Sequence, residues 1–136
     1  MADVGKEKIA YLAGIIDGEG CIYLGESKGK FNSTLTVEMA CISVPKWIQD
    51  NFGGSLYSRI RKDRFKTMWM WRVSSKVAAN ILSDCYDYLV EKKLEADIFL
   101  KFTSVVQYHQ KIKLTNNDLN IRRLYISDLR NNRKKQ

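Results

Sequence analysis

The chain has 136 residues, 45% of them hydrophobic, and its 23 Lys and Arg against 15 Asp and Glu give a formal charge of +8. That length fits one domain, residues 1–136, able to bury roughly two-thirds of its unfolded surface, and the basic balance favours a polyanionic partner, either nucleic acid or a membrane surface. No apolar run reaches the roughly 18 residues of a membrane span, the start of the chain does not read as a signal peptide, and Cys21, Cys41 and Cys85 lack the paired spacing of a zinc site or a disulfide framework.

Residues 6–19 read as the first helix. Ile9, Tyr11, Leu12, Ile15 and Ile16 place apolar groups on more than one side, which predicts a buried rather than an amphipathic helix. Gly14 and Gly18 sit four apart on one face. Glycine costs about 1 kcal/mol against alanine inside a helix, so the pair implies close approach of another backbone there. The helix stops at Glu19. A carboxylate at a seam between two backbones suggests paired carboxylates, the arrangement that a metal-dependent phosphodiesterase needs.

Cys21 to Glu26 follows as a strand, closed by a turn at Gly25, Ser27, Lys28 and Gly29. In the next strand, Phe31 to Cys41, Leu35, Val37, Met39 and Cys41 alternate with Thr34, Thr36, Glu38 and Ala40, so odd positions face the core. Ser43 ahead of Pro45 starts a helix, and Phe52-Gly53-Gly54 stops it. Leu56 to Arg61 and Met68 to Val73 make a hairpin around Lys62-Asp63-Arg64. Ser74 or Ser75 opens a helix carrying Val77, Ile81, Leu82, Cys85 and Leu89, and Lys92 to His109 reads as another. A last helix follows Thr115, where Thr115-Asn116-Asn117-Asp118 resembles a capping box, and residues 130–136 read as a solvated basic tail of Arg130, Arg133, Lys134 and Lys135. The order is αββαββα with a helical extension. The three cysteines are expected as reduced, buried thiols of an intracellular protein in a phage or bacterial cytoplasm or an organelle.

Leu12-Ala13-Gly14-Ile15-Ile16-Asp17-Gly18-Glu19-Gly20 resembles the nine-residue motif of the LAGLIDADG homing endonucleases, with apolar exchanges, Gly18 for the family's Ala and Glu19 for its Asp. The resemblance implies an α+β fold whose four-stranded antiparallel sheet binds DNA, with helices packed on the other face. It implies that Glu19 binds a catalytic divalent metal, Mg²⁺ with Mn²⁺ substituting, that the Gly18 carbonyl is an extra ligand, and that Asp17 is structural. A lysine at the start of the family's corresponding helix approaches the metal-bound water network. Here Lys92 falls at that position, with Lys93 one residue away. A polar residue often found near the end of the second strand falls at Cys41, a departure from the family's pattern. The motif occurs once, and the family builds its site from two. The resemblance therefore implies a homodimer, with Tyr11, Gly14, Ile15 and Gly18 along the seam and a pseudo-palindromic target.

An antiparallel sheet with helices on one face leaves the other free. Parity puts Tyr23, Gly25 and Ser27, Asn32, Thr34, Thr36, Glu38 and Ala40, Arg59 and Arg61, and Met68, Met70 and Arg72 on that free face, and Trp69 and Trp71 in the core. Arginine reads guanine bidentately, and Thr and Asn serve several bases. Lys28, Lys30, Lys62, Arg64 and Lys66 in the turns suit phosphates. A ten-residue strand spans roughly 33 Å, so one protomer covers a half-site of about ten base pairs. His109 has no acid or serine pattern around it and reads as a helix-end residue. The function implied is site-specific double-strand cleavage of DNA that leaves 3′ overhangs. The alternative is an intron maturase that binds RNA without cutting DNA.

Overall fold

Alternation along the four strands and the glycines between them set the topology. The computed structural model describes residues 4–63, 65–108 and 113–134. Helix α1 (Lys6–Glu19) leads into strands β1 (Gly20–Ser27) and β2 (Lys30–Met39), then helix α2 (Ser43–Phe52). Strands β3 (Ser55–Arg61) and β4 (Lys66–Ser74) follow, then helices α3 (Ser75–Cys85), α4 (Lys93–Tyr108) and α5 (Asn116–Lys134). The sheet order is β1-β2-β4-β3, with every neighbouring pair antiparallel. This is the α+β arrangement that the order αββαββα predicts. Arg64, His109 and Lys135 lie outside the described residues.

One face of the sheet carries the core. Ile22, Leu24, Leu35, Val37, Trp71 and Val73 are at most 5% exposed, and with them Leu12, Ala13 and Ile16 of α1, Ile48 and Phe52 of α2, Ile81 and Leu82 of α3, and Phe99 and Phe102 of α4 form one cluster. Trp71 also holds the end of α2, because its Nε1–H donates to the Gly53 carbonyl at 2.7 Å. The chain turns there with φ of 75° at Gly53 and 100° at Gly54, and a Cβ on Gly54 would lie 2.7 Å from the Trp71 nitrogen. That pair of glycines stops the helix for a conformational and a steric reason together.

Helix α5 extends the fold to the edge of the sheet. Its N-cap is the reciprocal box that Thr115 predicts: the Asp118 amide donates to Thr115 Oγ1 at 3.2 Å, and the Thr115 amide donates to Asp118 Oδ2 at 2.9 Å. Near its start Arg123 grips Glu26 through two bonds of 2.9 and 3.0 Å, and near its end an Arg133 nitrogen lies 3.5 Å from Cys21 Sγ. The helix thus runs along the outer edge of β1 and covers it. This corrects the expected basic tail over 130–136. Through Lys134 those residues are helix, with Leu129 2% exposed and Arg133 paired to the buried Glu95 at 3.3 Å.

Three further expectations change. Strand β2 ends at Met39, so Ala40 and Cys41 leave the sheet before α2, and Cys41 turns its sulfur to Ser43 Oγ at 3.3 Å. Only Cys85 is a buried thiol, since Cys21 and Cys41 are exposed. Helix α1 buries Leu12, Ala13 and Ile16 but leaves Tyr11, Gly14, Gly18 and Glu19 exposed, so within one protomer it is covered on one side only.

Candidate nucleic-acid interface and catalytic centre

Two features define the candidate site: the C-terminal end of α1 and the free face of the sheet. Gly20 makes the junction between them. Its amide bonds the Ile16 carbonyl, its backbone is already extended at φ −79° and ψ 155°, and a Cβ there would lie 2.7 Å from the Ile16 oxygen. The chain therefore leaves the helix directly into β1, and Glu19 becomes the last helical residue, with its side chain exposed.

A helix C-terminus carries partial negative charge and favours cations. The last turn of α1 holds no basic residue of its own, and Lys92 supplies one from a distant part of the chain. The Lys92 ammonium donates to the Asp17 carbonyl at 2.7 Å. The Asp17 carboxylate accepts the Val90 amide at 2.8 Å and the Lys92 amide at 3.0 Å, which clamps the turn before α4 onto the end of α1. Asp17 is thus a structural acid, as the motif implies. Of the two lysines, Lys92 sits at the helix end, while the Lys93 ammonium lies 4.9 Å over the ring of Tyr86.

The donor set at this end is hard oxygen, the carboxylate of Glu19 with backbone carbonyls, which suits Mg²⁺ or Ca²⁺. Among the described residues no group of three acidic, His or Cys side chains gathers as a metal cage. One protomer therefore brings to this end the single exposed carboxylate of Glu19, since that of Asp17 is taken up by two backbone amides.

The glycine face of α1 is open. A Cβ on Gly14 or Gly18 would meet no atom within 4 Å, so among the described residues no backbone makes the close approach expected for this pair. Beside them Tyr11 is 53% exposed and packs its ring edge-on to Trp47 of α2, with centroids 4.8 Å apart, and Ile15 is half-buried. The result is a flat, partly apolar stripe that ends at Glu19.

The free face of the sheet is assembled by register. Tyr23 lies opposite Thr34, Gly25 opposite Asn32, Ser27 opposite Lys30, Thr36 opposite Arg72, Glu38 opposite Met70, and Arg61 opposite Lys66. The predicted parity holds across all four strands, and Trp71 is fully buried on the other side. Lys28 and Lys62 are exposed in the two hairpin turns. Thr34 differs from expectation. It shares the face but is only 6% exposed, which leaves its hydroxyl little surface to offer. Close by, the Tyr23 ring lies across Gly25, in the space that a Cβ on that glycine would occupy.

Two of the arginines on this face, Arg59 and Arg61, are already engaged. Arg59 Nε donates to Glu38 Oε2 at 2.6 Å, and Arg61 lies 3.6 Å from the other Glu38 oxygen and 3.7 Å from Asp63. The Glu38 hydrogen bond and charge push the Arg59 guanidinium above its usual range. Tyr57 belongs to the same face but was not predicted there. It is opposite Met70 in register and its hydroxyl donates to the Met70 sulfur at 2.8 Å. Counting the parity of Arg59 and Arg61 two residues further back reaches Tyr57, so the signal was present in the sequence.

No protein-family model matches the sequence, and neither does any curated protein sequence. Among solved structures the chain is similar to the homing endonuclease I-CvuI in complex with a DNA target, at TM-score 0.72 and 21% identity, covering 91% of this chain and 80% of that one. It is similar to the archaeal intron-encoded homing endonuclease I-Vdi141I complexed with DNA, at TM-score 0.76 and 16% identity, covering 92% and 83%. The LAGLIDADG meganuclease I-AabMI bound to uncleaved DNA aligns at TM-score 0.71 and 17% identity, over 89% of this chain but only 44% of that one.

Proposed function

We propose that this chain, which has the fold of the LAGLIDADG homing endonucleases, is a site-specific, divalent-metal-dependent DNA endonuclease that works as a homodimer. The observation that carries the reading is the end of α1, where an exposed Glu19, the Lys92 ammonium and an open glycine face occur together beside a polar strand surface. The DNA complexes among the structural neighbours support a double-stranded partner for that surface. The Mg and Ca in I-CvuI complexes support a divalent cation. Among the described residues no helix is long and apolar enough to cross a membrane.

In this reading two copies meet along Tyr11, Gly14, Ile15 and Gly18, which brings the two Glu19 carboxylates to one seam. Like charges at short range repel, and a bound cation offsets that repulsion. When bound, the cation also supplies charge stabilisation at the phosphate and lowers the pKa of a ligated water. Glu19 and the Gly18 carbonyl hold it, and Lys92 orients solvent and offsets charge beside the scissile phosphate. Arg59, Arg61, Arg72, Asn32 and Thr36 meet base edges, and Lys28, Lys30 and Lys66 meet phosphates. A twofold enzyme of this kind cuts both strands and leaves 3′ overhangs.

The test is to incubate the protein with a randomised duplex library and Mg²⁺ and to sequence the ends. Recurrent ends at one pseudo-palindromic site, absent with Glu19→Gln although that variant still binds duplex, support the reading. Equal cleavage by purified Glu19→Gln removes Glu19 from the chemistry. Absence of ends, together with tight binding to intron RNA, favours the maturase alternative.

A further inference from the structure

We propose that the half-open pocket lined by the β1–β2 turn, the start of β2, the start of α3 and the facing sides of α4 and α5 binds a small oxyanion of the phosphate class. The cavity holds about 240 Å³ and Arg122 lines it. Arg122 is only 8% exposed, and its Nε has no hydrogen-bond partner. Its guanidinium carbon lies 5.1 Å over the ring of Phe31, an apolar neighbour rather than a carboxylate. The next arginine in the helix contrasts with it, because Arg123 holds Glu26 in a paired grip. A buried donor left without a partner carries its full desolvation penalty, and the Arg122 Nε is in that condition.

The rest of the lining is of one kind. Lys76 adds a second cation, Ser33, Ser75, Thr103 and Gln107 add hydroxyls and an amide, and none of the lining residues is acidic. Ser75 and Lys76 are the first two residues of α3, an eleven-residue helix whose flanking Ser74 makes no side-chain hydrogen bond to the first turn. The amides of that turn are donors with positive helix-end potential behind them. The Arg122 guanidinium, Lys76, the hydroxyls of Ser33 and Ser75 and the start of α3 line one small pocket and make a receptor for a compact anion. Phe31, Phe102 and Val106 leave an apolar wall for a short organic group on that anion.

The ligand is a free anion and not a DNA phosphate. Phe31 and Ser33 have the parity of Leu35 and Val37, the core side of the sheet, whereas Asn32, Thr36 and Glu38 have the parity of the free face. A duplex lying on the free face is separated from Arg122 by the sheet itself. The site therefore stands or falls independently of the nuclease reading. An anion held there joins β2, α3, α4 and α5, so its occupancy is linked to the docking of the helical extension.

The experiment is thermal unfolding of the full chain, Arg122→Gln and Lys76→Gln across a sodium phosphate series, with sodium chloride at matched ionic strength. The expected result is a rise for the unsubstituted chain that grows with the logarithm of phosphate concentration and reaches about 5 °C at roughly ten times the dissociation constant. The rise disappears in Arg122→Gln and needs several-fold more phosphate in Lys76→Gln. A rise that grows in proportion to phosphate concentration, or is equal in the chain and both variants, is the general stabilisation that phosphate salts give any protein and overturns the site. If Arg122→Gln does not fold, Lys76→Gln decides alone, since Lys76 is exposed and, among the described residues, makes no hydrogen bond or ion pair. Addition of a short DNA duplex leaves the phosphate response unchanged. Loss of the response with duplex shows a backbone contact instead, and also overturns the proposal.

Discussion

Replacing Asp17 by Asn isolates the clamp that positions Lys92. The carboxylate accepts two amides, Val90 at 2.8 Å on one oxygen and Lys92 at 3.0 Å on the other. Asparagine keeps one acceptor and turns an NH₂ group toward the second amide, so one charge-assisted bond becomes a donor facing a donor. Hydrogen bonds to charged groups are worth about 1.5–3 kcal/mol. Val90 is 84% exposed and its amide regains water readily, so the lower part of that range applies, about 1.5–2 kcal/mol. For a chain of this size that is a fall in Tm of about 5–8 °C, or about 1 M in the urea midpoint for a slope near 1.5–2 kcal/mol/M. Fluorescence of the three tryptophans follows the unfolding. In cleavage assays Asp17→Asn lowers the rate far more than it weakens duplex binding, because the turn that carries Lys92 loosens while the strand surface is untouched. A urea midpoint unchanged to within about 0.3 M, equivalent to about 0.5 kcal/mol, refutes the clamp.

Other substitutions test the remaining parts. Gly14→Leu meets no atom within 4 Å of its new Cβ, so the protomer still folds, but sedimentation velocity shows monomer and cleavage is lost; a stable Gly14→Leu dimer places the seam elsewhere. Glu38→Gln releases Arg59 and Arg61, so affinity for arbitrary duplex rises several-fold at low salt and the log–log salt dependence steepens by about one unit; an unchanged slope means the ion pairs do not restrain DNA binding. Burial, reinforced by the charge of Asp84, pushes the Cys85 thiol up to about 12 from 9.0. Its folded value lies above its unfolded value, so its contribution is complete below about pH 9 and is lost as pH rises toward 12. Urea midpoints at pH 8 and pH 10.5 therefore fall more steeply for the unsubstituted chain than for Cys85→Ala, and parallel lines reject the assignment.

The sheet was readable from sequence because its signal is strictly local. Leu35, Val37, Trp71 and Val73 alternate with polar residues over strands long enough to fix the parity, and the register then carries that parity to every neighbour. The motif gave the end of α1 in the same way, since Gly20 permits a turn that the helix backbone alone would block. Lys92 was a different case. Seventy-five positions separate it from the carbonyl it bonds, and only the resemblance placed it there. Cys21 has the free-face parity of Tyr23 and Gly25, so its exposure is legible in the strand pattern, whereas Cys41 is exposed because β2 stops at Met39 before reaching it. The pairing of Glu38 with Arg59 and the isolation of Arg122 have no sequence signature at all. Both depend on which charges three-dimensional packing brings together or keeps apart.

The cover that α5 places over β1 has a consequence for synthesis. Strand β1 is complete by Ser27, whereas the arginines that tie α5 to it are Arg123 and Arg133. The hairpins of the sheet close through contacts between near neighbours in the chain, but this contact spans about a hundred residues and carries a corresponding entropic delay. As the chain leaves the ribosome, the β1 edge is an open row of amides and carbonyls through most of translation, able to pair with another nascent copy. Helix α5 ends that exposure. Its arrival marks the point at which the protein stops being a hazard to its own copies, and a slow or truncated C-terminal segment leads first to aggregation and only then to lost activity.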